Sequence, residues 1–549
     1  MKAAEEEPIN IANQLLLALL ESTSLVQNFK GKWSLIKTKL THLKSLLADL
    51  SDFPSLSCNP LSLELLHSLT STLSDALSLS ITCRSPTLPD GKLRTQNDVD
   101  SISARLDCHT RDAEVLIKSG VLEDGPVSQS KREAVRVEAR NLITRLQIGT
   151  SDSKNSVMDS LLGLLHEDDK NVMIAVAQGV VPVLVRLLDS SSSPEIKEKT
   201  VAAISRVSTV DSSKHILIAE GLLLLSNLLR VLESGSGFAR EKACITLQTL
   251  THSKENARAI GCRGGISSLL EICQAGTPSS QAVAGGVLRN LSEFPEIKEN
   301  FIEENAIFIL LSLLASGTIL AQENAIGCLC NLVSEDDQLK LLVAREGAIE
   351  SLKNFWDAAP SVGSLEVAVE LLRKLASCAP IAEVIVSDGF INRVVSVLNC
   401  GVLGVRIAAA KAVCELGFST KTRRELGECG CIPPLVRMLE GKALEEKEAA
   451  AKALSSLMSY DGNRRIFKKE EKAVDNAVQL LIPSVENLDK KYPVSILASL
   501  VHSKKCRKQM IAAGAYVHLQ KLVEMDVEGA KKLYESLGRA KLWGVFSRN

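Results

Sequence analysis

The chain is poor in aromatic residues and carries almost no net charge. Only 3% of its 549 residues are Phe, Trp or Tyr, whereas 45% are hydrophobic. A core built from these hydrophobic residues would consist mainly of Leu, Ile, Val and Ala, as in packed helices. The 64 Lys and Arg residues face 65 Asp and Glu residues, for a formal net charge of −1. Domains that bind nucleic acid usually show a basic excess, so this balance argues against nucleic-acid binding.

Long apolar runs and targeting signals are also missing. A membrane-spanning helix needs about 18 or more apolar residues, and the run LLLALL at 15–20 is far shorter. The start MKAAEEEPIN is acidic where a signal peptide is basic, and it lacks the Met-Gly of myristoylation. The 14 cysteines lie mostly in apolar helical patterns, which suits a reducing compartment. We therefore expect a cytoplasmic or nuclear protein that is neither secreted nor transmembrane.

No pattern of catalysis or metal binding is present in the sequence. The two close cysteine pairs, Cys328-x-Cys330 and Cys429-x-Cys431, have no matching pair of His or Cys that would complete a metal site. We interpret them as buried thiols. The eight histidines are scattered, and no phosphate-binding loop or pairing of nucleophile and base is apparent. We expect no enzyme, no cofactor and no metal.

What the sequence does contain is a repeat of about forty residues. A Gly followed by an apolar pair and then Leu, Val or Ile recurs, with Asn or Lys replacing Gly twice. Successive spacings are 42, 44, 40, 42, 42, 41, 42 and 42 residues, at Gly179, Gly221, Gly265, Asn305, Gly347, Gly389, Gly430, Lys472 and Gly514. Such a period is typical of a helical solenoid, in which each unit buries its apolar face on its neighbours. Solenoids usually present a long binding surface, so the repeat favours binding over chemistry.

Each period contains a short helix, a second helix opened by the glycine, and a longer third helix. The segment PEIKENFIEENAIFILLSLLASGTILAQENAIGCLCNLVSEDD (295–337) resembles the armadillo repeat, which has three helices per unit. The resemblance implies an all-α fold, a right-handed α-solenoid of about nine repeats over residues 131–549, with atypical first and last repeats as caps. Residues 1–125 lack the period and carry Leu at helical spacing, which predicts an N-terminal antiparallel helical bundle. We expect the hinge between the two regions at 123–130.

The N-terminal region carries a second resemblance. GKLRTQNDVDSISARLDCHTRDAEVLIKSG (91–120), after a Leu-rich stretch with Trp33, resembles the helical domain that precedes the U-box in plant U-box/armadillo proteins. Those proteins place a U-box of ubiquitin-ligase function between the helical domain and the repeats. Here residues 121–136 alone separate the two regions, and no U-box pattern occurs. Ligase activity is therefore not expected.

The late positions of the third helices supply the candidate binding residues. Import adaptors of the armadillo family carry ladders of Trp and Asn there, which hold basic peptides. This chain has no Trp at those positions and several cations instead, which excludes an import adaptor. Arginine can fork to a carboxylate, and asparagine can pair with a peptide backbone. The candidates are Arg206, Arg289, Asn290, Asn331, Arg373 and Lys374.

These observations predict a non-catalytic scaffold or adaptor. It would bind a partner protein or extended peptide, through acidic or polar groups, along the concave armadillo groove. The alternative is a substrate adaptor of the ubiquitin pathway that works with a separate ligase. An adaptor at a membrane surface, like fungal vacuolar armadillo proteins, is disfavoured by the absent lipidation start. We expect the groove residues to be exposed.

Overall fold

The computed structural model describes residues 7–546, except 54–55, 58, 86–87, 90, 120, 123–130, 190–191 and 485–487. By compactness the chain divides into two units, residues 1–250 and 251–549. Within the described residues every regular element is a helix. The predicted all-α class is confirmed.

The first unit begins with a bundle of four long helices. They are α1 (Pro8–Thr23), α2 (Lys30–Ser51), α3 (Pro60–Thr82) and α4 (Lys92–Lys118). Leu16, Leu40, Leu66 and Leu106, one from each helix, are all buried in one core. The predicted antiparallel bundle is confirmed: α3 and α4 run in opposite directions, because Thr72 contacts His109 whereas Asp75, further along α3, contacts Arg105, which lies earlier in α4.

The closest helix pairs in this bundle are not all neighbours in the chain. Helix α1 packs mainly on α3, and α2 packs mainly on α4. Helices α2 and α4 run parallel. Lys32 forms an ion pair with Asp100 and Lys39 forms one with Asp107, so the residue numbers increase in the same direction along both helices. Leucine spacing predicts which face of a helix is buried, but it does not predict which other helix covers that face.

Eight further helices complete the first unit. They are α5 (Lys131–Ile148), α6 (Ser151–Glu167), α7 (Asp169–Ala177), α8 (Val180–Leu187), α9 (Pro194–Ser208), α10 (Lys214–Ala219), α11 (Gly221–Ser234) and α12 (Gly237–Leu250). A 3₁₀ turn, Asp211–Ser213, precedes α10. Helix α5 packs on α4, and Ile148 at its end is half-buried against the core of the bundle. Helices α7–α9 and α10–α12 form two triplets, whose third helices are α9 and α12. Helix α6 packs on α9, and α9 packs on α12.

The second unit consists of triplets of a short, a middle and a long helix. The first four triplets are α13 (Lys254–Cys262), α14 (Gly265–Ala275), α15 (Pro278–Ser292); α16 (Lys298–Glu303), α17 (Ala306–Ser316), α18 (Ile319–Leu332); α19 (Asp337–Arg345), α20 (Ala348–Ala358), α21 (Leu365–Ala376); and α22 (Ala379–Ser387), α23 (Phe390–Val397), α24 (Leu403–Leu416). The 3₁₀ turn Pro295–Ile297 precedes α16.

The remaining triplets are α25 (Thr420–Glu428), α26 (Ile432–Met438), α27 (Leu444–Leu457); α28 (Asp461–Phe467), α29 (Ala473–Gln479), α30 (Lys491–Leu500); and α31 (Lys504–Ala512), α32 (Ala515–Glu524), α33 (Ala530–Phe546). From α15 to α33 each third helix packs on the third helix of the next triplet. The predicted solenoid is therefore confirmed.

Local sequence sets where these helices begin. Some third helices start behind hydroxyl caps: Thr277 accepts from the Ser280 N–H at 3.2 Å, and Thr318 accepts from the Ala321 N–H at 3.3 Å. Middle helices mostly start behind a residue with left-handed backbone, for example Gly347 at φ 93°. Glycine adopts that conformation without steric cost, which explains its recurrence at this position.

The division into a bundle at 1–125 and a solenoid at 131–549 stays a prediction. The compact first unit contains the bundle together with the first two triplets. The predicted hinge at 123–130 lies outside the described residues.

Candidate functional site

The six candidate residues lie near the ends of four third helices. Arg206 is on α9 of the first unit, and the other five are on α15, α18 and α21 of the second unit. We call the surface formed by Arg289, Asn290, Asn331, Arg373 and Lys374 the third-helix face. All six residues are half-buried, so the expectation that they are exposed is wrong. The physical reason is that most of them already contact groups of the protein itself.

Arg206 is held within the first unit by three hydrogen bonds. Its Nε donates to the Leu165 carbonyl oxygen at 3.0 Å, and its two terminal nitrogens donate to Thr209 Oγ1 at 2.9 Å and to Asp169 Oδ1 at 2.5 Å. The side chain is 18% exposed, and the paired Asp169 is 70% exposed. Arg206 therefore joins its helix to the preceding helices, which leaves it little capacity for a partner.

Asn290, Asn331 and Lys374 follow a common pattern. Asn290 Nδ2 donates to Thr251 Oγ1 at 3.0 Å, and Asn331 Nδ2 donates to Ser292 Oγ at 3.0 Å. Lys374 Nζ donates to Ser334 Oγ at 2.5 Å. Each side chain thus reaches a hydroxyl at the end of the third helix one repeat earlier. We call these three bonds the hydroxyl ties, and they connect successive repeats.

Arg289 differs from the other candidates because its side chain has no hydrogen-bond or ion-pair partner among the described residues. Its side chain lies flat over Gly327 on α18, where an added Cβ would sit 2.5 Å from Arg289 Nε and 2.7 Å from Cδ. Any larger residue at position 327 would displace the guanidinium. Gly327 therefore provides the space in which Arg289 rests on the neighbouring repeat, with its cation still unpaired.

Arg373 makes a fork with a carboxylate of its own helix. Its Nε donates to one Glu370 oxygen at 2.8 Å, and a terminal nitrogen donates to the other oxygen at 2.5 Å. These bonds raise the pKa of Arg373, so the guanidinium stays charged. The sequence interpretation treated Arg373 as a free cation and overlooked Glu370, although a spacing of three residues on a helix favours such a pair.

Beyond Arg373 the surface becomes mixed in charge. A cleft of about 340 Å³ lies along α21, α24, α27 and α30, and both signs of charge line it. Its ionisable groups include Arg373, Lys411, Lys452, Glu415, Glu445 and Glu448. The pair of Lys411 Nζ and Glu445 Oε1 is 2.7 Å long. Glu445 and Glu448 escaped the sequence interpretation because they lie early in α27, whereas the search covered late positions only.

Three of the four cysteines in the two pairs are buried thiols, as predicted, and Cys429 is not. Burial raises the pKa of Cys328 to about 12 and that of Cys330 to about 11. The same cause raises the pKa of Cys431 to about 12, whereas Cys429 is half-buried. Within the described residues no cluster of His, Cys, Asp and Glu could hold a metal ion. These thiols stay protonated at neutral pH and pack as small apolar groups.

No single helix in the described part of the chain is long and apolar enough to cross a membrane. Two bent helix pairs, α7 with α8 and the segment Asp211–Ala219 with α11, pass the same test of length and composition together.

Comparison with known families assigns two kinds of sequence to this chain. Residues 10–121 match a family described as a domain of unknown function (DUF7032). Residues 168–209 and 419–459 match the armadillo/beta-catenin-like repeat. The first match covers the bundle, and the second covers two of the helix triplets.

Curated relatives are distant and longer than their matched parts. The putative U-box domain-containing protein 47 of Arabidopsis thaliana is 23% identical over 186 residues, which cover 33% of this chain and 42% of that protein. Junction plakoglobin of Rattus norvegicus is 23% identical over 397 residues, which cover 67% of this chain and 52% of that protein. The chain therefore spans about half the length, or less, of these relatives.

A solved structure agrees with the fold. An engineered protein from the Northeast Structural Genomics Consortium matches with a TM-score of 0.60 and 21% identity, over 73% of this chain and 98% of that one. At this identity the likeness concerns the fold alone.

Proposed function

We propose that this armadillo-repeat protein, which resembles the U-box/armadillo family, is a non-catalytic scaffold that binds a segment of a partner protein on the third-helix face. The observation that carries the proposal is Arg289, an unpaired cation laid over Gly327 on a surface of stacked third helices. A charged group without an internal partner is available to a ligand, and guanidinium pairs well with carboxylate.

The chemistry of the face supports a partner segment that is acidic near Arg289 and mixed in charge further along. Lys374 bonds a serine hydroxyl and has no carboxylate partner in the part of the chain that the structure describes, so its charge adds to that of Arg289. Arg373 contributes less, because Glu370 neutralises it. The cleft at α24 and α27 carries Glu415, Glu445 and Glu448 beside three cations and would accommodate a partner segment that carries both signs of charge.

A charge reversal at Arg289 tests the proposal. The partner is first captured from native extract by proximity labelling, and its affinity for the purified chain is then measured. Arg289→Glu should weaken that affinity at least about tenfold, equal to about 1.4 kcal/mol. Added salt should weaken the wild-type complex as well.

Arg345→Glu is the matched control. Arg345 is 74% exposed on α19, a short first helix that contributes no residue to the third-helix face. This variant should bind as the wild type does. If Arg289→Glu also binds as tightly as the wild type while remaining folded, the third-helix face is not the binding site.

A second function, that of a substrate adaptor for a separate ubiquitin ligase, is favoured by the similarity to a U-box domain-containing protein. It predicts that a ligase co-purifies with the chain, and that the captured partner is ubiquitinated only when both are present. Co-purification of the partner without any ligase would leave the scaffold function alone. Under either function we expect a cytoplasmic or nuclear location.

A further inference from the structure

A cavity of about 250 Å³ lies inside the first unit, where α3 and α4 meet α5 and the start of α6. Leu61, Leu65 and Ile148 provide its apolar wall. Its polar lining includes His109 and Arg145. An apolar pocket with a few convergent polar groups is the usual form of a site for a small molecule.

Two of these polar groups lack the hydrogen bonds that burial demands. The His109 side chain is 8% exposed, and its Nδ1 has no partner within the described part of the chain. Arg145 Nε is likewise buried and unpartnered there. Buried polar groups in folded proteins nearly always have partners, so these two atoms are the groups beside the cavity that a bound ligand would satisfy.

The hydrogen bonds around His109 determine whether its Nδ1 is a donor or an acceptor. Thr72 Oγ1 lies 3.1 Å from the Ser68 carbonyl oxygen and 2.9 Å from His109 Nε2. The single hydroxyl proton satisfies the carbonyl, so His109 Nε2–H donates to Thr72 and Nδ1 is left as an acceptor. Arg145 Nε–H is a donor that carries positive charge. The cavity therefore offers one cationic donor and one neutral acceptor beside an apolar wall.

We propose that this cavity binds a small organic acid that carries an apolar ring and a hydroxyl group. The carboxylate accepts a hydrogen bond from Arg145, the hydroxyl donates to His109 Nδ1, and the ring packs on Leu61, Leu65 and Ile148. The N-terminus of α6, a helix of seventeen residues that begins after the cavity-lining Thr150, adds positive potential for the acid. Arg105 also lines the cavity, but Asp75 already bonds it at 2.8 Å, so Arg145 is the principal anion-binding group.

Asp112 makes this binding depend on pH. Its carboxyl lines the cavity, and burial raises its pKa to about 6, against the opposing effect of Lys154 and Arg111. The other charged or titratable groups that line the cavity are Arg105, Arg145, His109, Cys108 and the exposed Glu64. Above pH 6 the charged Asp112 repels a carboxylate, so the acid should bind more tightly just below pH 6 than at pH 7.5.

Two exposed cysteines allow a test in the wild-type protein. Cys108 lines the cavity, whereas Cys262 lies on α13 in the second unit. The probe is 4-hydroxyphenylacetate, and the measurement is the rate of alkylation of each cysteine, read by peptide mass spectrometry. At about ten times its Kd the acid should slow the alkylation of Cys108 about tenfold and leave that of Cys262 unchanged.

Control ligands and variants separate this site from unspecific binding. 4-Hydroxyphenylacetamide lacks the charge and inorganic phosphate lacks the ring, so neither should protect Cys108. Arg145→Gln should weaken the protection about tenfold or more. Arg136→Gln, at an exposed position of the same helix, should keep it. Unchanged alkylation of Cys108 with the acid, or equal protection by the amide, would overturn the proposal.

Discussion

Two glycines inside helices make room for one polar side chain each. Gly327 accommodates Arg289, and an added methyl there meets only the movable end of that side chain. Gly427 accommodates the amide of Asn463, a residue that is 1% exposed. Asn463 Nδ2 donates to the carbonyl oxygens of Arg423 at 2.7 Å and Leu457 at 3.0 Å. The same substitution should therefore have opposite effects at the two positions.

We expect Gly327→Ala to preserve or raise thermal stability and to weaken binding of the partner. Alanine is about 0.5–1 kcal/mol more favourable than glycine within a helix, and Arg289 can swing away. Gly427→Ala should instead destabilise by about 1–3 kcal/mol, because it displaces a buried amide from its acceptors. Melting curves and the partner-binding assay measure both effects. Equal losses of stability in the two variants would contradict this account of Gly327.

The pH dependence of stability should separate His109 from Asp112. Burial, with a smaller contribution from Arg105, lowers the pKa of His109 to about 4. The unfolded chain then binds the extra proton between pH 6.5 and 4, so this group costs stability as the pH falls. Asp112 has the opposite effect on stability. Burial raises its pKa to about 6, so the folded chain binds the proton at a higher pH than the unfolded chain does, and this group adds stability as the pH falls.

The two effects offset each other in the wild type between about pH 4 and 6. Asp112→Asn leaves only His109, so its melting temperature should fall more steeply below pH 6.5 than that of the wild type. His109→Gln should show the opposite trend over the same range. The loss in Asp112→Asn should amount to roughly 1–2 kcal/mol by pH 4.5. Parallel curves for all three proteins would refute the assignment.

At the scale of the element, most middle helices start at or directly behind a left-handed residue. Gly179, Gly347, Gly389 and Gly514 have φ between 80° and 93°. In the Gly264-Gly265 pair the left-handed residue is Gly264, one position before the glycine that marks this repeat in the sequence. Asn305 adopts φ 53°, whereas Lys472 has φ −100° and no left-handed turn. The period thus located the turn but not its exact residue.

This difference predicts the outcome of three substitutions. Gly347→Ala should destabilise by about 1–2 kcal/mol, since a Cβ is strained at positive φ. Asn305→Gly should be neutral or slightly stabilising for the same reason. Lys472→Gly should lose about 0.5–1 kcal/mol, because its backbone gains nothing from glycine and the unfolded chain becomes more flexible. Chemical denaturation checks all three, and a gain at Lys472 would contradict the argument.

Helical periodicity predicted the third helices and the position of their late polar residues. It did not predict the hydroxyl ties. Asn331 and Ser292 are 39 residues apart in the chain, and only the packing of α18 on α15 brings them together. The hydrogen bonds of Arg206 were missed for the same reason, because its acceptors Leu165 and Asp169 lie on α6 and α7. A pattern within one helix identifies a face, whereas these bonds depend on the neighbour that covers it.

At the scale of the whole molecule, we expect no ubiquitin ligase activity from this chain alone. Residues 121–136 are all that separate the two recognised regions, and no U-box pattern occurs in the sequence. A purified reaction with a panel of conjugating enzymes should give no ubiquitin chains on this protein. An established U-box ligase serves as the positive control. Ubiquitination that requires only this chain and a conjugating enzyme would disprove the prediction.

The hydroxyl ties of the second unit join residues about one repeat apart, and none of the three reaches further. Under mechanical tension such a chain has no distant clamp that must break first. Repeats should peel away one by one at similar forces, each releasing about 140 Å of extended chain, the length of some forty residues. A pulling experiment on the second unit should therefore record a regular sawtooth, in which a tie removed by Asn331→Ala lowers one tooth and leaves the others in place.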